Sequence, residues 1–250
     1  LMIWEDCKGT QQIKPLAGTV YRLVESQEQI ATLGYVDTLE EQALLEEMLE
    51  ITKPTHPFTT EGFHYLLKTP FRYPPLKWGS RFGRIHEPGI FYGGSNTHTT
   101  LAESAYYRFV FWYSIDASPI KNTIRTEHTL FSADYQSNHA IQLHSAPFNQ
   151  FLNTLTHPQD YAATQQLGTA MRTANVAVFE YPSARDPQQG TCIGLFTPSA
   201  FTQKRPKEMT AWLCEVSANE VAFKQRDKAE VIRFSLDTFL VDGTLPLPAG

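Results

Sequence analysis

Apolar and polar residues first alternate over residues 19–24. Val20, Arg22 and Val24 share one face of an extended chain there, and Tyr21 and Leu23 share the other. The pattern predicts a strand with an arginine between two valines, most simply an edge strand. Upstream, residues 1–16 show no period and read as irregular. Thr38 and Glu41 have the spacing of a capping box, so a helix is expected from there to about residue 50. Leu45, Met48 and Leu49 would share one face of it, and Pro54 and Pro57 stop it. Residues 55–75 read as a long connection punctuated by proline.

Residues 90–92 read as a short strand running into Gly93 and Gly94. Leu101, Ala105, Phe109 and Trp112 then fall at i, i+4, i+8 and i+11, the apolar stripe of a helix that ends near residue 113. Glu103 lies off that stripe. Thr100 and Glu103 also have capping-box spacing, which gives Glu103 a structural rival role; Asn96 and Thr97 allow an earlier start. Residues 114–156 read as short strands and turns, and residues 160–173 as a helix with Ala163, Leu167, Ala170 and Met171 inward. Strand-like runs follow at 176–181, 191–196, 211–216, 221–224 and 231–236. No repeat or linker interrupts the series, so one α+β domain is expected.

The chain has 250 residues, with 21 Lys and Arg against 26 Asp and Glu, a formal charge of −5. It lacks the positive field of a nucleic-acid binder, and no basic patch exceeds a few residues. No run reaches membrane-spanning length: the best candidate, residues 105–115, contains Arg108. No secretory leader is read at the start. Cys7, Cys192 and Cys214 form no CxxC pair, which argues against a disulfide scaffold or a zinc-thiolate site and fits a reducing cytoplasm. The histidines include no HExxH, and His139 and His144 are poorly spaced for shared ligation, so no metal site is expected. GxGxxG, Walker A and GxSxG motifs are absent from the sequence.

Arginine, glutamate and tyrosine chemistry remains. A guanidinium forks onto phosphate oxygens. A tyrosine offers its face to a heterocycle. A carboxylate beside a ribose stabilises an oxocarbenium-like transition state. Together they suit a site that breaks the nicotinamide–ribose bond of NAD.

The order of local motifs sharpens this. Tyr21-Arg22-Leu23-Val24, Gly79-Ser80-Arg81-Phe82-Gly83, Gly89-Ile90-Phe91-Tyr92, Leu101-Ala102-Glu103 and Tyr181-Pro182-Ser183-Ala184-Arg185 resemble the successive motifs of the RES-domain family. Gly190 to Phe196 continues the last one, and the resemblance spans residues 18–201. It implies an ADP-ribosyltransferase-like mixed β core with flanking helices, an insert at about 25–75 and a β-rich extension at 202–250. It also implies a bacterial cytoplasmic toxin that depletes NAD by hydrolysis, or by phosphorolysis with inorganic phosphate as co-substrate. An Xre-type helix-turn-helix antitoxin would be its partner. The alternatives are an ADP-ribosyltransferase that modifies a protein and a decayed module that only docks to its antitoxin. By the resemblance, Arg22 and Arg81 hold NAD, Tyr92 orients the nicotinamide ribose and Glu103 stabilises the developing cation. Ser183 bonds the ligand or Glu103 and is no nucleophile, since no His–acid relay is evident. The chain departs from the family where compact members have Arg-Trp-Asn and it has Arg81-Phe82-Gly83.

Overall fold

The strand that organises the molecule is one the sequence pattern conceals. In the computed structural model, which describes residues 2–26, 35–55, 57–75, 77–116 and 121–248, β3 (Ile124–Gln142) runs unbroken for 19 residues. This corrects the reading of residues 114–156 as short strands and turns. His128 and Ser132 are buried in β3, so its sequence lacks the alternation of a half-solvated strand. The Thr126 hydroxyl and His128 Nε2, 2.9 Å apart, satisfy each other.

Seven further strands complete the sheet: β1 (Lys14–Glu25), β2 (Phe91–Gly94), β4 (Val178–Pro182), β5 (Thr191–Leu195), β6 (Glu208–Val216), β7 (Glu220–Gln225) and β8 (Val231–Ser235). Their order is β1-β2-β5-β4-β3-β6-β7-β8, and β1 also pairs with β3, so the first five close on themselves. Among the described strands only β3 and β4 run parallel. β1 therefore has neighbours on both sides, and Arg22 is not an edge-strand residue.

The helices are α1 (Ile3–Asp6), α2 (Leu39–Thr52), α3 (Tyr65–Arg72), α4 (Thr97–Tyr113), α5 (Leu152–Leu155) and α6 (Ala162–Thr173). The start of the chain is not irregular throughout. α1, too short to show a period, buries Ile3, with Cys7 just beyond it, in one core cluster with Phe82, Leu167 and Met171. At α2 the Thr38 hydroxyl accepts from the Glu41 N–H, and the Glu41 carboxylate reaches back to the N–H of Asp37. Met48 and Leu49 on that helix remain exposed.

α4 buries Leu101, Ala105 and Phe109 completely, as the stripe predicts. It packs against Trp212, Phe223 and Phe234 of β6–β8, so residues 202–248 extend the same sheet and core. Of the stretch 25–75, residues 27–34 and 56 lie outside those described. No helix among the described residues is long and apolar enough to cross a membrane.

Candidate functional site

α4 begins at Thr97, capped by the Asn96 side chain, which accepts from the Thr99 N–H at 2.9 Å. This decides between the two readings of Glu103. It lies almost two turns inside the helix, past the reach of any capping box. Its carboxylate lines a cavity of about 1050 Å³. Arg22, Arg81 and Tyr92 line the same cavity. A closed β ring, a helix and one loop thus bring four predicted residues to one place.

Ser183 stands behind Glu103 and is not among the lining residues. It is buried at the end of β4, and its hydroxyl donates to Glu103 Oε1 at 2.5 Å. Ser183 Oγ in turn accepts the N–H groups of Arg185 at 3.2 Å and Asp186 at 2.9 Å. Ser183 is thus a partner of Glu103, and the backbone N–H groups that donate to it fix the loop that carries it. Cys192 of β5 also lines the cavity and places its thiol 3.7 Å from Glu103 Oε1. Burial, then the charge of Glu103, push that thiol well above its ordinary pKa, so it stays a donor at neutral pH. Oε2 of Glu103 takes no hydrogen bond among the described residues, which leaves it for an occupant of the cavity.

Arg22 is half-buried. Its Nη1 donates to the Tyr92 carbonyl at 2.6 Å, and its guanidinium lies 5.1 Å from the Phe91 ring centre. Burial lowers its pKa to about 10, so it remains a cation at neutral pH. Its buried Nε has no partner among the described residues.

Arg81 sits at the tip of a tight turn closed by the Ser80 N–H on the Gly83 carbonyl at 2.7 Å. Gly79 enters that turn at φ +81°, a conformation that favours glycine. Phe82 plugs the core edge-on to Phe179 and Tyr181, which turns its neighbour Arg81 toward the cavity. Phe82 thus stands as a core ring at the position where the chain departs from the compact pattern. Arg81 Nη1 donates to the carbonyls of Leu155 and His157 at 3.0 and 2.9 Å, and its guanidinium stacks 4.5 Å from Tyr161.

The Tyr92 hydroxyl pairs with the Ser80 hydroxyl at 3.0 Å and accepts the Phe82 N–H at 3.1 Å. Tyr92 thereby braces the Arg81 turn while presenting part of its ring to the cavity. Burial raises its pKa to about 12.

The structure adds three features to the predicted site residues. Cys192 is one; its place at the start of β5, paired with Gly94 and Tyr181, is legible only from the sheet register. Arg185 is the second: its guanidinium lies 3.6 Å from the centre of the Tyr106 ring and donates to the Pro158 carbonyl at 2.7 Å. The third is the wall made by Pro74, Pro75, Lys77 and Trp78, where the proline-punctuated connection ends. Among the described residues no cluster of His, Cys, Asp and Glu is suited to a metal ion.

A sequence model of the RES domain matches residues 56–217. The chain belongs to the RES-domain family. Arg81, Tyr92, Glu103 and Ser183 lie inside the matched RES domain, and Arg22 lies before it. The fold is similar to that of a chain in the crystal structure of the M. tuberculosis MbcT–MbcA toxin–antitoxin complex. The two share 9% identity at a TM-score of 0.51, over 84% of this RES-domain chain and 91% of that chain. No curated protein sequence matches this chain.

Proposed function

We propose that the protein is a bacterial cytoplasmic toxin that cleaves the nicotinamide–ribose bond of NAD and is held in check by an Xre-type helix-turn-helix antitoxin. The observation that carries the reading is the Glu103 carboxylate. One of its oxygens is tied down by Ser183 and Cys192, the other takes no hydrogen bond among the described residues, and the cavity it faces is also lined by Arg22, Arg81 and Arg185. A carboxylate that shares one cavity with three arginines suits a ligand that is anionic in one part and becomes cationic in another. NAD fits that description: its pyrophosphate is negative, and its ribose carbon gains positive charge as nicotinamide leaves.

The residues divide the work. Arg22 and Arg81 hold the pyrophosphate by charge-assisted hydrogen bonds. Tyr92 braces the Arg81 turn and faces the nicotinamide ribose. Glu103 Oε2 stabilises the oxocarbenium-like centre and orients the water that attacks it. The bond to nicotinamide breaks with its electron pair going to the ring nitrogen. Water then adds, releasing ADP-ribose and a proton. With phosphate in place of water the product is ADP-ribose 1″-phosphate, and the cavity-lining Lys77 and Arg81 would hold that anion. The fold shared with a chain of a toxin–antitoxin complex supports a toxin role.

Incubation of the purified protein with NAD, with and without phosphate, tests the reaction. Free nicotinamide with ADP-ribose or its phosphate is expected. Labelling of one protein from labelled NAD, with little free product, would make the transferase reading correct. Expression with and without the neighbouring gene tests the toxin role, and harmless expression of active enzyme contradicts it.

A further inference from the structure

The face of α4 that looks into the cavity has a direction. Glu103, Tyr107, Val110 and Ser114 line the cavity at i, i+4, i+7 and i+11, a single helical stripe. At 1.5 Å per residue, Val110 lies about 10 Å and Ser114 about 16 Å along the axis from Glu103. The stripe begins at a carboxylate and continues through uncharged side chains. Tyr113, on the same last turn, also lines the cavity, and the rings of Tyr107 and Tyr113 are half-exposed.

A second segment, far away in sequence, reaches this cavity. Leu247 and Pro248 line it. The segment is anchored just before them. Leu245 packs on the cluster that holds α4 to β6–β8, Pro246 is buried, and the Tyr106 hydroxyl donates to the Pro246 carbonyl. Tyr106 is also the ring under the Arg185 guanidinium, so one side chain ties this strap to the loop behind Glu103. Prolines at 246 and 248 fix two backbone torsions, so little freedom is lost when a ligand settles on the strap. Leu247 itself is 56% exposed on the cavity wall, an apolar side chain with room for a cover.

We infer that residues 245–248, with Tyr107, Val110 and Tyr113, form an apolar subsite for the purine base at the far end of the dinucleotide. This rests on the reading that the cavity takes NAD. The bond that breaks lies at Glu103, so the nicotinamide ring belongs at that end. The adenosine half extends beyond the pyrophosphate, toward uncharged walls of tyrosine, valine, leucine and proline. A flat, weakly polar base gains there from stacking and from covering Leu247. The strap lies beyond the matched RES domain, so it is a specificity-determining element added to that domain.

AMP carries the purine half alone, and nicotinamide the other ring alone. In NAD cleavage, Leu247→Asp is expected to raise KM about tenfold, with most of the loss in KM and not in kcat. AMP should weaken as a competitive inhibitor by a similar factor, and inhibition by nicotinamide should be unchanged. Leu247→Ala should show the same pattern at smaller size. An unchanged KM, an AMP that does not compete with NAD, or equal losses for AMP and nicotinamide would overturn the subsite. Calorimetric titration of AMP onto the parent and the Leu247→Asp variant reads the subsite without turnover. If the parent bound AMP in a Leu247-dependent way but did not cleave NAD, the proposed reaction would fail and the subsite would stand.

Discussion

Glu103 and Ser183 are 80 positions apart in sequence and joined by a 2.5 Å hydrogen bond, from the serine hydroxyl to carboxylate Oε1. A second bond joins the same two segments one helical turn earlier. The Thr99 hydroxyl donates to Asp186 Oδ2 at 2.8 Å, in the buried interior. Helix and loop are thus stitched twice, in opposite donor directions, and the carboxylate that faces the cavity cannot rotate without breaking the stitch.

The serine is therefore a positioning residue. Ser183→Ala is expected to lower kcat for NAD about tenfold to a hundredfold, the range of one lost hydrogen bond to a charge, with little change in KM. Steady-state nicotinamide release gives both constants. A loss confined to KM would mean that Ser183 contacts ligand instead.

Gly190 lies under the second stitch. A Cβ there would come within 2.0 Å of Thr99 Oγ1 and 2.4 Å of Asp186 Oδ2. Gly190→Ala should cost about 1–3 kcal/mol of stability, as overpacking does, and lower kcat as well, because the Ser183 loop must shift. Denaturant unfolding and turnover on the same preparation check both. An unchanged midpoint would show that the loop is loose.

Arg22 should carry binding. In a Glu103→Gln background, Arg22→Ala is expected to weaken NAD binding at least tenfold, through lost charge-assisted contacts. Arg22→Lys should recover only part of it. An ammonium cannot fork onto two oxygens, and the burial that lowers the arginine to about 10 also disfavours a charged lysine. Calorimetric titration with NAD decides, and equal affinity in all three proteins would remove Arg22 from the site.

Much of this was legible in the chain. The stripe of α4, the helix at α6 and the strands β6 and β8 follow from periodicity, because each has one wet and one dry face. Motif order brought Arg22, Arg81, Tyr92, Glu103 and Ser183 together as candidates. What sequence concealed is what depends on closure. β3 is buried along much of its length and carries His128 and Ser132 inside, so its alternation is lost. β1 pairs on both sides, which no local pattern around Arg22 reveals. The rival cap for Glu103 was settled by Asn96, one of two starts that the sequence allowed. Cys192 and the 245–248 strap reach the cavity only through sheet register and tertiary packing.

Acid stability follows from His128, near the start of β3. Burial, aided by the charge of Arg108, lowers its pKa from 6.5 to about 4. The unfolded chain therefore takes up a proton first as pH falls. Stability from this group is intact above about 6.5 and declines between there and 4, by about 3 kcal/mol in all. His128→Gln should flatten that limb of the unfolding free energy against pH. An identical slope in both proteins would assign the acid loss to other groups.

The central claim is that Glu103 is the catalytic carboxylate of an NAD-cleaving site. Its most direct test is nicotinamide release from NAD by the parent and by Glu103→Gln, with thermal unfolding of both. Glutamine keeps the shape and an acceptor oxygen for Ser183 but removes the charge. The expected result is steady release by the parent, a loss of at least a hundredfold in the variant (on the order of 3 kcal/mol) and closely similar melting temperatures. Equal rates in the two proteins would contradict the account, as would a variant whose lost activity is matched by early melting.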